Sequence, residues 1–209
     1  MTKVLIIDSA ATGAASVSRK LTSEFAEQLR RHGLADRITS RDVGRAPIPH
    51  LDETTTGAIR GADAETDEAR AALALSDQLV SELKEADVIV IGAPMYNFGI
   101  PSTLKAWFDH VLRAGITFRY TAQGPEGLVK GKRAIVVESR GGLYSEGPAV
   151  ANDSQEPHLR TLLAFMGVDD VTFVRAEKLA FGPESASEAI AEAAQKLAIL
   201  ADSERALAA

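Results

Sequence analysis

Three short stretches carry residue types suited to holding a ligand. The first is Ala93-Pro94-Met95-Tyr96-Asn97-Phe98-Gly99-Ile100-Pro101, where Tyr96 and Phe98 stand among residues that break regular structure. Aromatic faces stack on planar rings, and Pro94, Gly99 and Pro101 keep the segment a loop. The second runs from Ser9 to Ser18, is built of small and hydroxyl residues, and ends where a helix begins. The first N–H groups of a helix lack intrahelical partners and its dipole favours negative charge there, so hydroxyls at that point suit a phosphate. With one glycine, Gly13, the stretch lacks the G-x-G-x-x-G of dinucleotide folds, and no Gly-Lys-Ser/Thr marks a triphosphate loop. A monophosphate fits better, although Ser16 or Ser18 could equally be no more than a helix N-cap. The third, Ser139-Arg140-Gly141-Gly142, has two glycines that let backbone amides approach a ring edge with no side chain between. A flat ring system bearing one phosphate, such as FMN, would use all three.

Each stretch follows an apolar run of strand length: Lys3 to Asp8, residues 87–92, and Lys132 to Glu138. From Ser16–Ser18 to about His32 the spacing of Leu21, Phe25 and Leu29 predicts a helix. After Pro101, Leu104, Trp107, Phe108, Val111 and Leu112 repeat at i, i+3, i+4, i+7 and i+8, so one apolar stripe packs inward. Residues 36–43 read as an edge strand, 67–84 and 156–167 as helices, 170–176 as the last strand, and 183 to about 206 as a closing helix. Residues 44–66 form a long, breaker-rich connection of the kind that serves function or an interface. Gly115 to Val129 alternates about Gly124-Pro125, which suggests a hairpin excursion at the ligand end. Strand and helix alternate throughout, which predicts a five-stranded parallel sheet with helices on both faces. In the order 2-1-3-4-5 the three candidate loops are neighbours at the strands' carboxyl ends, with the switch point between the first and third strands.

With 209 residues and 45% hydrophobic content, the chain reads as one domain, 1–209. A net charge of -6 without a basic run argues against nucleic acid as a partner, and zero cysteines exclude disulfides, thiolate chemistry and cysteine metal sites. Val4-Leu5-Ile6-Ile7 is too short for a signal sequence or a membrane span, so a cytoplasmic protein without a membrane partner is expected. His32, His50, His110 and His158 show no metal-ligand pairing and suit surface or capping roles; no metal is expected. Trp107 and Phe108 belong to the core stripe. Lys105, Asp109 and Arg113 follow at i+4 spacing, the pattern of a solvated ion-pair stripe.

The segments Pro94-Met95-Tyr96-Asn97-Phe98-x-Ile100-Pro101-x-x-Leu104-Lys105, Gly115-Ile116-Thr117-Phe118-Arg119-Tyr120, Gly124-Pro125-x-Gly127-Leu128 and Ser139-Arg140-Gly141-Gly142 resemble the FMN-dependent NADH-azoreductase (NADH:quinone oxidoreductase) family. The resemblance spans essentially the whole chain and implies a flavodoxin-like fold. It implies FMN phosphate contacts from Ser9, Ser16, Val17 and Ser18, isoalloxazine contacts from Met95, Tyr96, Asn97 and Phe98, and a pyrimidine edge held by Ser139, Arg140, Gly141 and Gly142. Arg140 would add positive charge at that edge or be a surface ion-pair partner. The resemblance also implies a homodimer in which Tyr120 and Phe165 frame the substrate slot. The expected activity is reduction of quinones and azo compounds by NADH or NADPH in a ping-pong cycle, with the hydride carried by the flavin and no catalytic acid–base side chain required. Tyr144 receives no role. The alternative is a flavodoxin-like electron carrier or an FMN-binding regulatory module, but segments 44–66 and 115–130 exceed what a carrier needs.

Overall fold

The computed structural model describes residues 2–208. Val4-Leu5-Ile6-Ile7 and Val88-Ile89-Val90-Ile91 are apolar on both faces, so strands β1 (Lys3–Asp8) and β3 (Val88–Pro94) lie in the sheet interior. β1 pairs in parallel with β3 and with β2 (Arg37–Asp42), while β3 pairs with β6 (Arg133–Ser139) and β6 with β7 (Asp170–Ala176). The order β2-β1-β3-β6-β7 is the expected flavodoxin-like one, with β6 and β7 as the fourth and fifth strands of the main sheet.

Period-two alternation divides each strand between two cores. Val4, Ile6, Val90 and Val137 pack under α1 (Val17–Arg31) and α6 (Pro183–Ala208) with Leu21, Phe25, Leu29 and Leu197. Leu5, Ile7, Ile89 and Ile91 pack under α3 (Asp67–Glu85), α4 (Ser102–Val111) and α5 (Glu156–Met166) with Leu83, Leu104, Leu159 and Leu163. Trp107 and Phe108 are fully buried and meet edge-on at 4.9 Å, as the helical stripe requires. Among the described residues no helix is long and apolar enough to cross a membrane.

Four features differ from expectation. The 44–66 connection contains a helix, α2 (Glu53–Ile59), started by a capping box in which Asp52 accepts from Thr55 N–H at 2.8 Å and Thr55 Oγ1 accepts from Asp52 N–H at 3.0 Å. Arg113 is buried and crosses to Asp77 at 2.5 Å and Ser76 at 3.2 Å, so only Lys105 and Asp109 form the expected i+4 pair. His110 is also buried; its Nε2 donates to Pro49 O at 3.0 Å, and burial lowers its pKa.

The hairpin, β4 (Phe118–Thr121) and β5 (Gly124–Gly127), turns at Ala122-Gln123, and Pro125 lies within β5 opposite Tyr120. It does not sit at the ligand end. Val129 N–H donates to Met166 O at 2.8 Å, and Gly127 packs on Gly167 at the C-terminal end of α5. Topology explains this: α4 returns to the amino edge of the sheet and β6 starts there, so the connection between them has both feet on that edge.

A Cβ at Gly127 would stand 2.1 Å from Gly167 N, a main-chain atom that cannot step aside. Gly127→Ala is therefore expected to destabilise the fold by about 2–4 kcal/mol in urea unfolding; wild-type stability would show that the hairpin is not seated on α5.

Candidate functional site

The loop after β1 is organised by a side chain outside the predicted set. Arg19 Nη2 donates to Ala10 O at 3.0 Å and Nε to Gly13 O at 3.1 Å, while the guanidinium pairs with Asp42. The hydrogen bond to Asp42 raises the Arg19 pKa further. Asp42 Oδ1 also accepts from Gly44 N at 3.1 Å and Arg45 N at 3.0 Å, which ties the β1 and β2 loops together. With two loop carbonyls drawn onto Arg19, amides remain. Among the described residues the N–H groups of Val17 and Ser18 have no acceptor, at the N-terminus of a 15-residue helix. Ser16 is the N-cap, accepting from Arg19 N–H at 3.2 Å, and its Oγ lies 3.1 Å from Ser18 Oγ. The two serines are 4% and 1% exposed. Ser9 differs: its hydroxyl donates to Gly92 O at 2.7 Å and so joins β1 to β3.

In the loop after β3, Tyr96 and Gly99 exchange two main-chain hydrogen bonds of 3.0 and 3.1 Å around Asn97 (φ 48°) and Phe98 (φ 70°). Both central residues are left-handed, as in a type I′ turn. For an aromatic residue this costs about 1–3 kcal/mol, the kind of strain kept at functional sites. Phe98 is thereby left 49% exposed. Its ring meets that of Tyr144 edge-on, 6.1 Å apart at 83°. Tyr96 OH accepts from Ala11 N–H at 3.1 Å and joins this loop to the preceding one. Met95 N–H is committed to Ser139 O at 2.9 Å, whereas those of Asn97 and Phe98 have no partner among the described residues.

The loop after β6 corrects the expectation for Arg140. The side chain is neither at a ligand edge nor on the surface: it is fully buried, with Nη2 at 2.7 Å from Glu138 and 3.1 Å from Asp153, Nε at 3.1 Å from Gln155 and Nη1 at 3.3 Å from Glu177. Glu156 lies farther off, at 3.8 Å, and is hydrogen-bonded instead to Arg160 and Arg175. Burial pushes Glu138 up to about 7, with Arg140 pulling only partly the other way. Lys178 N, Leu179 N and Ala180 N donate to the carbonyls of Gly142, Arg140 and Gly141 at 2.9, 3.2 and 3.0 Å. The segment 177–182 is thus a fourth loop at this edge. The Gly141 and Gly142 N–H groups have no partner among the described residues, and neither glycine has positive φ. Their smallness matters unequally: a Cβ on Gly141 meets only Ala180 at 3.6 Å, whereas one on Gly142 would press the Tyr144 ring at 3.0 Å.

Tyr120 and Phe165 are not brought to these loops. Phe165 packs on Phe118 at 4.6 Å, and Tyr120, 74% exposed, meets Phe118 edge-on at 5.6 Å, on the hairpin at the amino edge. Arg19 had one signal in the sequence, a cation in the first turns of a helix, where the dipole disfavours it. The fourth loop had none, because it acts through main-chain bonds and through Glu177, whose partners are distant in sequence.

Comparison with known proteins agrees with this architecture. A family model described as flavodoxin-like fold matches residues 2–200. The chain is 50% identical over 201 residues to an FMN-dependent NADH:quinone oxidoreductase of Hyphomonas neptunium, covering 96% of each chain. It is 52% identical over 194 residues to a protein of the same name from Escherichia coli, covering 92% of this chain and 95% of the other. Among solved structures, an azoreductase from Bacillus anthracis superposes with a TM-score of 0.88 at 30% identity, over 97% of this chain and all of the other.

The Glu138 carboxyl generates a pH test. Its folded pKa of about 7 exceeds the ordinary 4.5, so the native state keeps a proton that the unfolded chain releases, and stability falls as pH rises through that window. Glu138→Gln removes the effect: from pH 5 to pH 8 its stability in urea should gain on wild type by about 1–3 kcal/mol. A pH-independent difference would mean that Glu138 is ionised throughout.

Proposed function

Because the chain belongs to the FMN-dependent NADH:quinone oxidoreductase family of flavodoxin-like fold, we propose that its carboxyl-edge loops hold FMN and that it reduces quinones and azo compounds with NADH or NADPH. The observation that carries this is the set of unpartnered amides on three adjacent loops: Val17 and Ser18, Asn97 and Phe98, Gly141 and Gly142. The donor set fits the group. Val17, Ser18 and the Ser16–Ser18 hydroxyl pair would take the phosphate, with Arg19 supplying positive charge behind the loop. Asn97, Gly141 and Gly142 amides and the Ser139 hydroxyl would take the polar ring edge. Met95, Tyr96 and Phe98 would flank the ring, Met95 through its side chain alone.

When bound, FMN supplies the two-electron chemistry, taking hydride from the nicotinamide and giving it to the acceptor in a separate half-reaction, which is a ping-pong order. The protein's part is positional. Amides at the polar edge stabilise negative charge without reorganising, and the left-handed turn keeps Phe98 out where a planar acceptor can lie. Glu138 and Arg140 hold the loop from beneath and take no proton to or from a substrate.

A slot framed by Tyr120 and Phe165 requires a second copy of the chain, since the hairpin of one chain lies at the edge opposite its own loops. The exposed Tyr120 ring is what supports a homodimer. We place the enzyme in the cytoplasm, where its nicotinamide donor is.

Purified protein should be yellow, bleach on adding NADH without oxygen and recover colour with a quinone; a colourless chain that takes up no FMN overturns the proposal. Ser18→Ala should weaken FMN binding at least tenfold, corresponding to about 1.5–3 kcal/mol for a hydrogen bond to a charged group. Unchanged affinity by fluorescence titration would remove this loop from the site.

The active enzyme should also scatter light as two 22.2 kDa subunits. Tyr120→Ala should alter quinone kinetics while FMN affinity stays as it is; a fully active single subunit sinks the dimer.

A further inference from the structure

Tyr144 stands between two spaces. Its ring meets the exposed Phe98 edge-on at 6.1 Å, and the same residue lines a groove of about 340 Å³ together with Val150, Pro157, Arg160 and Arg175. Its main chain is pinned, because Tyr144 N–H and Ser145 N–H both donate to Glu177 Oε1, at 2.9 and 3.1 Å. Its ring is not: the hydroxyl has no partner among the described residues, and the ring rests on Phe98 and on the bare Gly142, where a Cβ would lie 3.0 Å away. A fixed backbone carrying a ring held by contacts alone allows rotation about the side-chain bonds without moving the loop. The groove behind it has the apolar surfaces of Val150 and Pro157; the guanidiniums of Arg160 and Arg175 also line it, both paired with Glu156 and Arg160 lying over the Phe173 ring at 4.3 Å, so an aryl ring would rest on Val150 and Pro157 and on the outer guanidinium face of Arg160.

We propose that Tyr144 determines acceptor length: its ring closes the Phe98 side of the slot, so one-ring quinones fit as the chain stands, and the second aryl ring of an azo compound enters the groove only when the phenol turns aside. This rests on the loops being the FMN site, and it assigns a selective role to a residue outside the set proposed above to hold the cofactor.

The test compares Tyr144→Ala and Tyr144→Phe with wild type, measuring kcat/KM for 1,4-benzoquinone and methyl red, and FMN affinity by titration of the FMN-free protein. In Tyr144→Ala, methyl red should gain at least fivefold, benzoquinone should stay within twofold and FMN affinity within threefold. Tyr144→Phe, which keeps the ring, should match wild type in all three. Parallel changes for both acceptors, no change in either, or a phenylalanine variant behaving like the alanine one would overturn the proposal. Loss of FMN affinity in Tyr144→Ala would make the residue a cofactor contact and overturn it too. A wild-type chain that binds no FMN defeats the underlying reading, and this one with it, before any variant is compared.

Discussion

The buried Arg140 guanidinium is the interaction on which the carboxyl edge depends. Its partners come from separate segments: Glu138 from β6, Asp153 and Gln155 from the approach to α5, Glu177 from the turn after β7. Gln155 extends the network by donating from Nε2 to Ala93 O at 2.9 Å, at the root of the aromatic loop. A guanidinium suits this place because its fork is planar and permanently charged, with five N–H donors spread over three nitrogens where a lysine has three on one. The charge is costly to bury and costlier to orphan: removing one member of such a cluster leaves the others unpaired, at about 3–5 kcal/mol. Burial weighs most on Glu138, whose Oε1 is buried without a partner among the described residues.

Arg19 does comparable work at the other end of the site by a different route. It collects the carbonyls of Ala10 and Gly13, which leaves the helix-terminal amides unopposed. Arg19 thus holds its loop through main-chain carbonyls, and Arg140 holds its loop through side chains from neighbouring segments. The site is shaped from behind by charge and faced with main-chain N–H groups.

What sequence could reveal follows from this division. The sheet order, the two cores and the three loops were legible because buried strands and amphipathic helices leave periodic apolar patterns, as in Val88–Ile91 or Leu104–Leu112. The segments that resemble the family lie in the same loops. Arg140 was misplaced because a residue flanked by Ser139 and Gly141 looks like a surface loop residue; only the distant Glu177 and Asp153 reveal it as buried. The helix at Glu53–Ile59 was obscured by three threonines and a glycine, while its capping signal used Thr55 where glutamate is more usual. The hairpin was assigned to the wrong edge by its aromatic residues, although the direction of α4 already determined which edge it must occupy.

Because the ligand-facing groups on the three loops are largely backbone amides, much of the recognition surface is indifferent to which side chain a position carries. What such a surface demands is the path of the chain, as at the left-handed Asn97-Phe98 turn. Arg19 and Arg140 shape these loops from beneath without facing the cleft, so a substitution at either would be felt as a change in the course of the chain.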